Sequence, residues 1–279
     1  MTIADTLQTV FIASTAENAA SAAEGGADVI MIDLEREGKQ HRQKTLLAHM
    51  TSTNWDDVAA IRDATPADAL MIRLDPWHPD RSPTQIDRAT ALGADRLMLP
   101  MIETLEHVTA FAAALDGRAR FTPLIETVSS LGMIDAIAAL DSVDRLHIGL
   151  NDLHLQRHDR FLFEPLANGV IDPAAAGLVA YGMPFGIGGI GALSDTPPVS
   201  PTLLLAEHAR LGSSWVILSR RFRDMIAASP GSDAVGREIS ALKARYRVLC
   251  NRDARTVAED RQKFVAQVRA VVSRMSDPT

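Results

Sequence analysis

The polar residues best placed to do chemistry stand at the ends of short apolar runs. Asp33 and Glu35 follow Val29-Ile30-Met31-Ile32, Arg73 and Asp75 follow Leu70-Met71-Ile72, and Pro100 and Glu103 follow Leu97-Met98-Leu99. Glu126-Thr127 closes Pro123-Leu124-Ile125, and Asn151-Asp152 closes Ile148-Gly149-Leu150. Asp33 and Asp75 read equally well as helix or loop caps. Glu126 and Asp152 are different, because two carboxylates ending adjacent strands repel unless a cation or a proton lies between them. Cys250 is the sole cysteine, so the donors are oxygens, which suit Mg²⁺ or Mn²⁺ better than zinc. Two protein carboxylates leave most of an octahedral shell to water and substrate. Arg73 then faces the cation, with a planar guanidinium suited to a substrate carboxylate or an enolate oxygen.

The elements that must position these groups alternate along the chain. β-Branched apolar runs predict strands at Thr9–Ala13, Asp28–Leu34, Leu70–Leu74, Arg96–Met101, Phe121–Glu126, Arg145–Leu150, Phe185–Ile190 and Trp215–Ser219. Between them, helical periodicity covers Ala16–Glu24, Trp55–Asp63, Pro83–Leu92, Leu105–Leu115, Ser130–Leu140, Asp172–Tyr181 and Pro201–Leu211. Gly25-Gly26, Gly93 and Gly212 fall where left-handed helix caps are wanted. Nearly all-apolar strands and eight βα units predict a (β/α)8 TIM barrel over residues 1–229, and an open doubly wound sheet is the alternative. In such a barrel the strand ends face one mouth. Residues 230–279 predict two extra C-terminal helices, about Asp233–Arg247 and Ala254–Arg274, which cap the barrel or pack on another subunit. Val257, Phe264, Val268, Val271 and Val272 give the second an apolar stripe.

Composition excludes several function classes. Apolar residues make up 47 % of the 279, enough for a large core, and the formal net charge of −7 argues against nucleic acid or an anionic membrane as partner. One cysteine permits no intrachain disulfide and no thiolate metal cluster. The N-terminus lacks the pattern of a secretory signal, and no apolar run approaches the ~20 residues of a membrane helix. A cytoplasmic protein is expected. Of 28 basic residues only Lys39, Lys44, Lys243 and Lys263 are lysines. No predicted strand holds one, which disfavours a Schiff-base aldolase, since that lysine must sit inside the barrel.

The strings "DVIMIDLEREGK", "MIRLDP", "GADRLMLPMIET", "PLIETVSSL" and "LHIGLNDLHL" together resemble the HpcH/HpaI aldolase and citrate lyase β-chain family, one string per barrel unit from about residue 10 to 225. The resemblance implies that Glu126 and Asp152 hold Mg²⁺, that Arg73 contacts a keto-acid or thioester substrate, and that Glu35 faces the same pocket. It also implies a C-terminal helix exchanged between subunits, hence a homo-oligomer. The chain departs from the family where keto-acid aldolases carry a histidine directly after the acidic residue. Here Arg36 follows Glu35, and His41 lies six positions beyond Glu35.

Other signals are weaker. Gly186 to Gly191 fits G-x-G-x-x-G, but Asp195-Thr196-Pro197-Pro198 follows instead of a helix, so the glycines serve a turn or close approach to substrate at the mouth. His154 and His158 are spaced i, i+4 in what reads as a polar loop, where solvated histidines are the usual case. Lys39, His41 and Arg42 read either as a solvated charge run or as a lid meeting an anionic substrate group. The expected function is a Mg²⁺-dependent carbon–carbon lyase acting on a 2-oxo acid or related carboxylate through a metal-stabilised enolate. Arg73 and Glu35 are its catalytic residues, and Arg73, Lys39, Asn151 and Thr127 bind substrate. The alternatives are a citrate lyase β-like acyl-CoA lyase or thioesterase, a citrate-forming condensing enzyme, and a barrel that only binds a carboxylate ligand.

Overall fold

The computed structural model describes residues 6–36, 53–228 and 233–275. Eight parallel strands pair in chain order and close on themselves: β1 (Gln8–Ala13), β2 (Val29–Asp33), β3 (Leu70–Arg73), β4 (Arg96–Leu99), β5 (Arg120–Ile125), β6 (Leu146–Ile148), β7 (Phe185–Ile190) and β8 (Trp215–Leu218). Closure comes from β1 lying beside β8, with Val10 opposite Ile217. The (β/α)8 expectation holds, and the open sheet does not.

The outer ring is built of helices that the chain ends locally. α1 (Ala16–Glu24) opens with a reciprocal cap, in which Thr15 Oγ1 accepts from Asn18 N and Asn18 Oδ1 accepts from Thr15 N. α2 (Val58–Asp63), α3 (Ser82–Ala91) and α4 (Leu105–Leu115) follow the next three strands. The stretch read as one helix at Ser130–Leu140 is two, α5 (Val128–Gly132) and α6 (Ile134–Ala138), because Met133 between them leaves helical geometry at φ −116°. Two short helices went unread: α7 (Leu150–Gln156), whose first residue looks like more strand, and α8 (Glu164–Ala167). α9 (Asp172–Tyr181) and α10 (Pro201–Leu211) match their periodic patterns, and α11 (Arg220–Ala228), which only Ser219 separates from β8, was also missed. Gly26, Gly93 and Gly212 take positive φ as helix exits require.

Strand alternation sorts the core into two layers. Phe11, Ile30, Ile32, Ile72, Leu97 and Phe121 face the helices, while Val10, Met31, Met71, Met98, Leu124 and Trp215 fill the barrel lumen. Three unbranched methionines suit the irregular centre of the barrel. At the N-terminal face, Arg96 Nη1 meets Asp144 and Thr122 Oγ1, and Arg145 stacks 4.1 Å from the Trp215 ring centre. Gly186 of the glycine run packs here, not at the substrate mouth as the sequence suggested. A Cβ on it would lie 2.1 Å from Trp215 Cδ1 and 2.7 Å from His147 Nδ1.

His147 and His208 are both buried. Burial holds His147 down to about 3 and His208 down to about 4. Unfolded imidazoles titrate near ~6.5, so between that pH and the folded values the unfolded chain binds more protons. This contribution to stability is complete above about pH 6.5 and is lost as pH falls. Denaturant midpoints should therefore drop between pH 7 and pH 5, and drop less in His208→Gln. A flat profile would exclude neutral burial.

The C-terminal helices α12 (Ala234–Cys250) and α13 (Ala254–Arg274) lie on α10 of their own barrel. Phe264 and Val268 join the same hydrophobic core as the barrel, so a boundary at 229/230 does not separate two cores. Of the stripe that suggested a partner subunit, Phe264 and Val268 are buried within the chain, while Val257, Val271 and Val272 stay half-buried. Polar contacts pin it. Buried Glu207 pairs with Arg261 at 2.6 Å and Arg210 at 2.9 Å, Arg261 donates to Leu166 O and Ala167 O, and Tyr246 donates to Ser213 O. Glu207→Ala would remove one partner each from Arg261, which keeps Leu166 O and Ala167 O, and Arg210, which keeps Asp172, and should lower unfolding free energy by about 2 kcal/mol, measured by chemical denaturation. Among the described residues, no helix is long and apolar enough to cross a membrane.

Candidate active site

The polar cluster at the C-terminal mouth follows from the same alternation. Val29, Met31 and Asp33 share the inner face of β2, as do Met71 and Arg73 on β3, and Leu124 points inward on β5 with Glu126 two residues on. Each inner face is apolar in the lumen and turns charged one step before the mouth. Asp33 and Arg73 are register partners on neighbouring strands.

Arg73 is the centre of the cluster. Its Nε and Nη2 donate to the two oxygens of Asp33 at 3.0 and 2.8 Å, and Nη1 lies 3.4 Å from Glu35 Oε2. Asp33 Oδ1 also accepts from Glu35 N at 3.3 Å, so Asp33 caps its own loop while it binds Arg73. Its carboxylate occupies the two-pronged face of Arg73 that the sequence assigned to substrate, leaving Nη1 beside Glu35. The acidic neighbours Asp33, Glu35 and Glu126 together raise the Arg73 pKa despite its burial.

Glu126 is buried, with Oε1 accepting from Met101 N at 3.0 Å. Met101 itself holds φ +51°, so the carboxylate satisfies an amide in a strained turn after β4. Burial pushes the Glu126 carboxyl up to about 8, Arg73 pulls it back, and Asp152 and Glu35 add to the rise. Asp152 comes from the first turn of α7, just past β6, and not from the strand itself. This donor set fits a hard cation: the donors are oxygens beside a guanidinium already engaged by Asp33, and burial, with Asp152 and Glu35 adding to it, holds Glu126 protonated near neutral pH until a cation offsets the cost of its charge.

Gly149 is a site residue that sequence reasoning missed. A Cβ there would stand 2.9 Å from Glu126 Cβ and 3.1 Å from Oε2. Glycine is what lets β6 turn into α7 against the carboxylate, and its place between the "IET" glutamate and Asp152 was the available signal. Gly149→Ala should cost about 1–3 kcal/mol by overpacking and weaken Mn²⁺ binding with it, measured by denaturation and calorimetry. Unaltered cation affinity would detach Gly149 from the site.

Other candidates fall outside the cluster. The Thr127 hydroxyl is fully buried, donates to Ile102 O at 2.5 Å and accepts from Ser130 N at 2.9 Å, so it caps α5 and is not offered to substrate. Asn151 is exposed on α7 beside Asp152. Lys39, His41 and Arg42 lie outside the described residues. Asp75 clamps the chain after β2, accepting from Arg36 N at 2.7 Å and Gln85 Nε2 at 2.8 Å. His154 lies on α7 and not in a loop, with Nδ1 3.2 Å from Leu150 O, while His158 has left the helix at φ +59°. Among the described residues no group of three or more histidine, cysteine or acidic side chains is set to hold a metal, so the mouth offers a cation no more than a pair of carboxylates, with the rest of its shell left to water and substrate.

Solved structures share the architecture. The CitE protein of Mycobacterium tuberculosis, in complex with magnesium and pyruvate, is 16 % identical, with a TM-score of 0.61 over 94 % of this chain and 100 % of that one. The citrate lyase β subunit of M. tuberculosis, complexed with oxaloacetate and magnesium, is 15 % identical, with a TM-score of 0.59 over 88 % and 100 %. An HpcH/HpaI aldolase/citrate lyase family protein of Burkholderia cenocepacia is 18 % identical, with a TM-score of 0.59 over 81 % and 92 %. These likenesses establish the fold. No protein with a curated description matches the sequence significantly. The profile of HpcH/HpaI aldolase/citrate lyase proteins matches residues 8–159, more than half of the chain and all of the acidic cluster, and the chain belongs to that family.

Proposed function

We propose that the protein is a Mg²⁺-dependent carbon–carbon lyase that cleaves or forms a 2-oxo acid or a closely related carboxylate. The observation that carries this reading is the inward Arg73, held by Asp33 and Glu35, beside the buried pair member Glu126 on which Asp152 acts. Solved relatives with this fold bind magnesium with pyruvate or oxaloacetate, in support. Glu126 and Asp152 would hold the cation, whose charge lowers the cost of an enolate.

The chain's own residues supply the rest. Arg73 Nη1 meets the substrate carboxylate or the developing oxyanion, and Asp33 fixes the guanidinium plane so that no reorganisation is needed as charge develops. Glu35, 3.4 Å from Arg73, takes the proton of the 4-hydroxyl group. The bond between C3 and C4 then breaks, its electron pair remains on C3, and the proton held by Glu35 passes to C3, which releases pyruvate and an aldehyde. Asn151 lines the rim.

A screen of pyruvate and oxaloacetate with candidate aldehydes, each with and without Mg²⁺, tests the reading. Carbon–carbon bond formation should require the cation. Product formed equally well in the presence of a chelator would overturn it.

A further inference from the structure

The turn that follows β5 is tied to its neighbours on both sides. Towards β4, Met101 N donates to Glu126 Oε1 at 3.0 Å, and the Thr127 hydroxyl donates to Ile102 O at 2.5 Å. The β4 turn keeps this double clip although Met101 holds φ +51°, a costly conformation for any residue but glycine. Towards α7, Val128 N donates to Gln156 Oε1 at 2.9 Å. Gln156 is the last residue of α7. Gly149, just before its first residue, presses so closely on Glu126 that a Cβ would stand 2.9 Å from the Glu126 Cβ. α7 is therefore held against the β5 turn at both ends, with Asp152 between the two points.

These contacts do more than finish helices. Thr15 and Thr104 cap α1 and α4 from exposed positions, whereas Thr127 is fully buried and reaches out of its own turn to Ile102. A threonine that only capped α5 would use its oxygen, which accepts from Ser130 N, and not its proton. Gln156 stands four residues after Asp152, on the same face of α7, so its bond to Val128 fixes the face that carries the carboxylate. We infer that Thr127 and Gln156 are positioning residues, which brace the β5 turn against the β4 turn and α7 and so set the separation of Glu126 and Asp152 that a cation meets. This rests on the metal assignment within the lyase reading, and not on the reaction. Mg²⁺ demands a near-ideal shell, so a small displacement of either carboxylate weakens its binding.

Calorimetry with Mg²⁺, beside chemical denaturation of the metal-free chain, tests the brace. Gln156→Met removes the acceptor at similar length, and Thr127→Val removes the hydroxyl at similar volume. Each should weaken Mg²⁺ binding by about tenfold, the lower end of what residues behind metal ligands cost. Thr127→Ser keeps the hydroxyl and should restore the parent affinity. Because Gln156 is exposed, Gln156→Met should unfold at the parent's denaturant midpoint, and it decides the matter if Thr127→Val does not fold. A merely structural role would lower that midpoint and leave the affinity of the folded chain unchanged. In the metal-free Gln156→Met chain the Val128 amide should exchange with D₂O about tenfold faster than in the parent. Parent-like Mg²⁺ affinity in Gln156→Met, an unchanged Val128 exchange rate, or a loss in Thr127→Val that Thr127→Ser does not restore would each overturn the brace. A parent that binds no Mg²⁺ would overturn it together with the metal assignment, whereas a parent that binds Mg²⁺ but turns over no 2-oxo acid would count against the lyase reading alone.

Discussion

Glu126→Gln and Asp152→Asn should each abolish turnover and weaken Mn²⁺ binding by at least about a hundredfold, because losing even a residue behind the ligands commonly costs ten- to a hundredfold. The barrel should stay folded in both. The amide introduced by Glu126→Gln can still accept from Met101 N through its carbonyl oxygen, and Asp152 lies on the first turn of an exposed-rim helix. In Glu126→Gln a buried carboxyl that rises to about 8 is also replaced by a neutral group, so metal-free stability should improve above pH 7. The sign follows from the raised folded value: the native state binds the extra proton, and stability falls as pH climbs toward 8. Calorimetry with Mn²⁺ beside chemical denaturation separates loss of the ligand from loss of the fold. Parent-like affinity in both variants would remove the metal assignment.

Arg73→Lys should lower kcat/KM by about a hundredfold, on the order of 3 kcal/mol, typical of losing one preorganised donor to a developing oxyanion. Charge is retained, so the defect comes from geometry. A lysine presents a single ammonium and cannot keep both oxygens of Asp33 while also facing Glu35. Because Arg73 is not a ligand, cation affinity should stay close to the parent value. Steady-state kinetics on the active 2-oxo acid, run with a metal titration, checks both halves. Near-normal turnover would show that Arg73 only balances the charge of its acidic neighbours.

Much of this was legible before any coordinates. All eight strands lie where short apolar runs sit, and α1, α4, α9, α10 and α13 begin and end where periodicity places them. The inward position of Arg73 was readable from alternation with Met71, and that of Glu126 from alternation with Leu124. What could not be read was how the polar groups pair. Asp33 and Arg73 are forty residues apart, and only strand register brings them together. Thr127 looked like a mouth residue because it adjoins Glu126, yet a hydroxyl just before a helix is drawn to its free amides first. The C-terminal stripe could not reveal its own partner, since α10 offers an apolar face as good as another subunit's. α11 escaped because only Ser219 separates it from β8, so no turn signal marks where the strand ends and the helix begins.

The most direct test of the metal-centred reading is exchange of the pyruvate methyl protons in D₂O, followed by NMR. It isolates proton removal next to the 2-oxo group and needs no knowledge of the aldehyde. The expected result is deuterium incorporation by the parent protein that depends on Mg²⁺ and disappears in Asp152→Asn. Exchange at the same rate without Mg²⁺, or undiminished in Asp152→Asn, would contradict it.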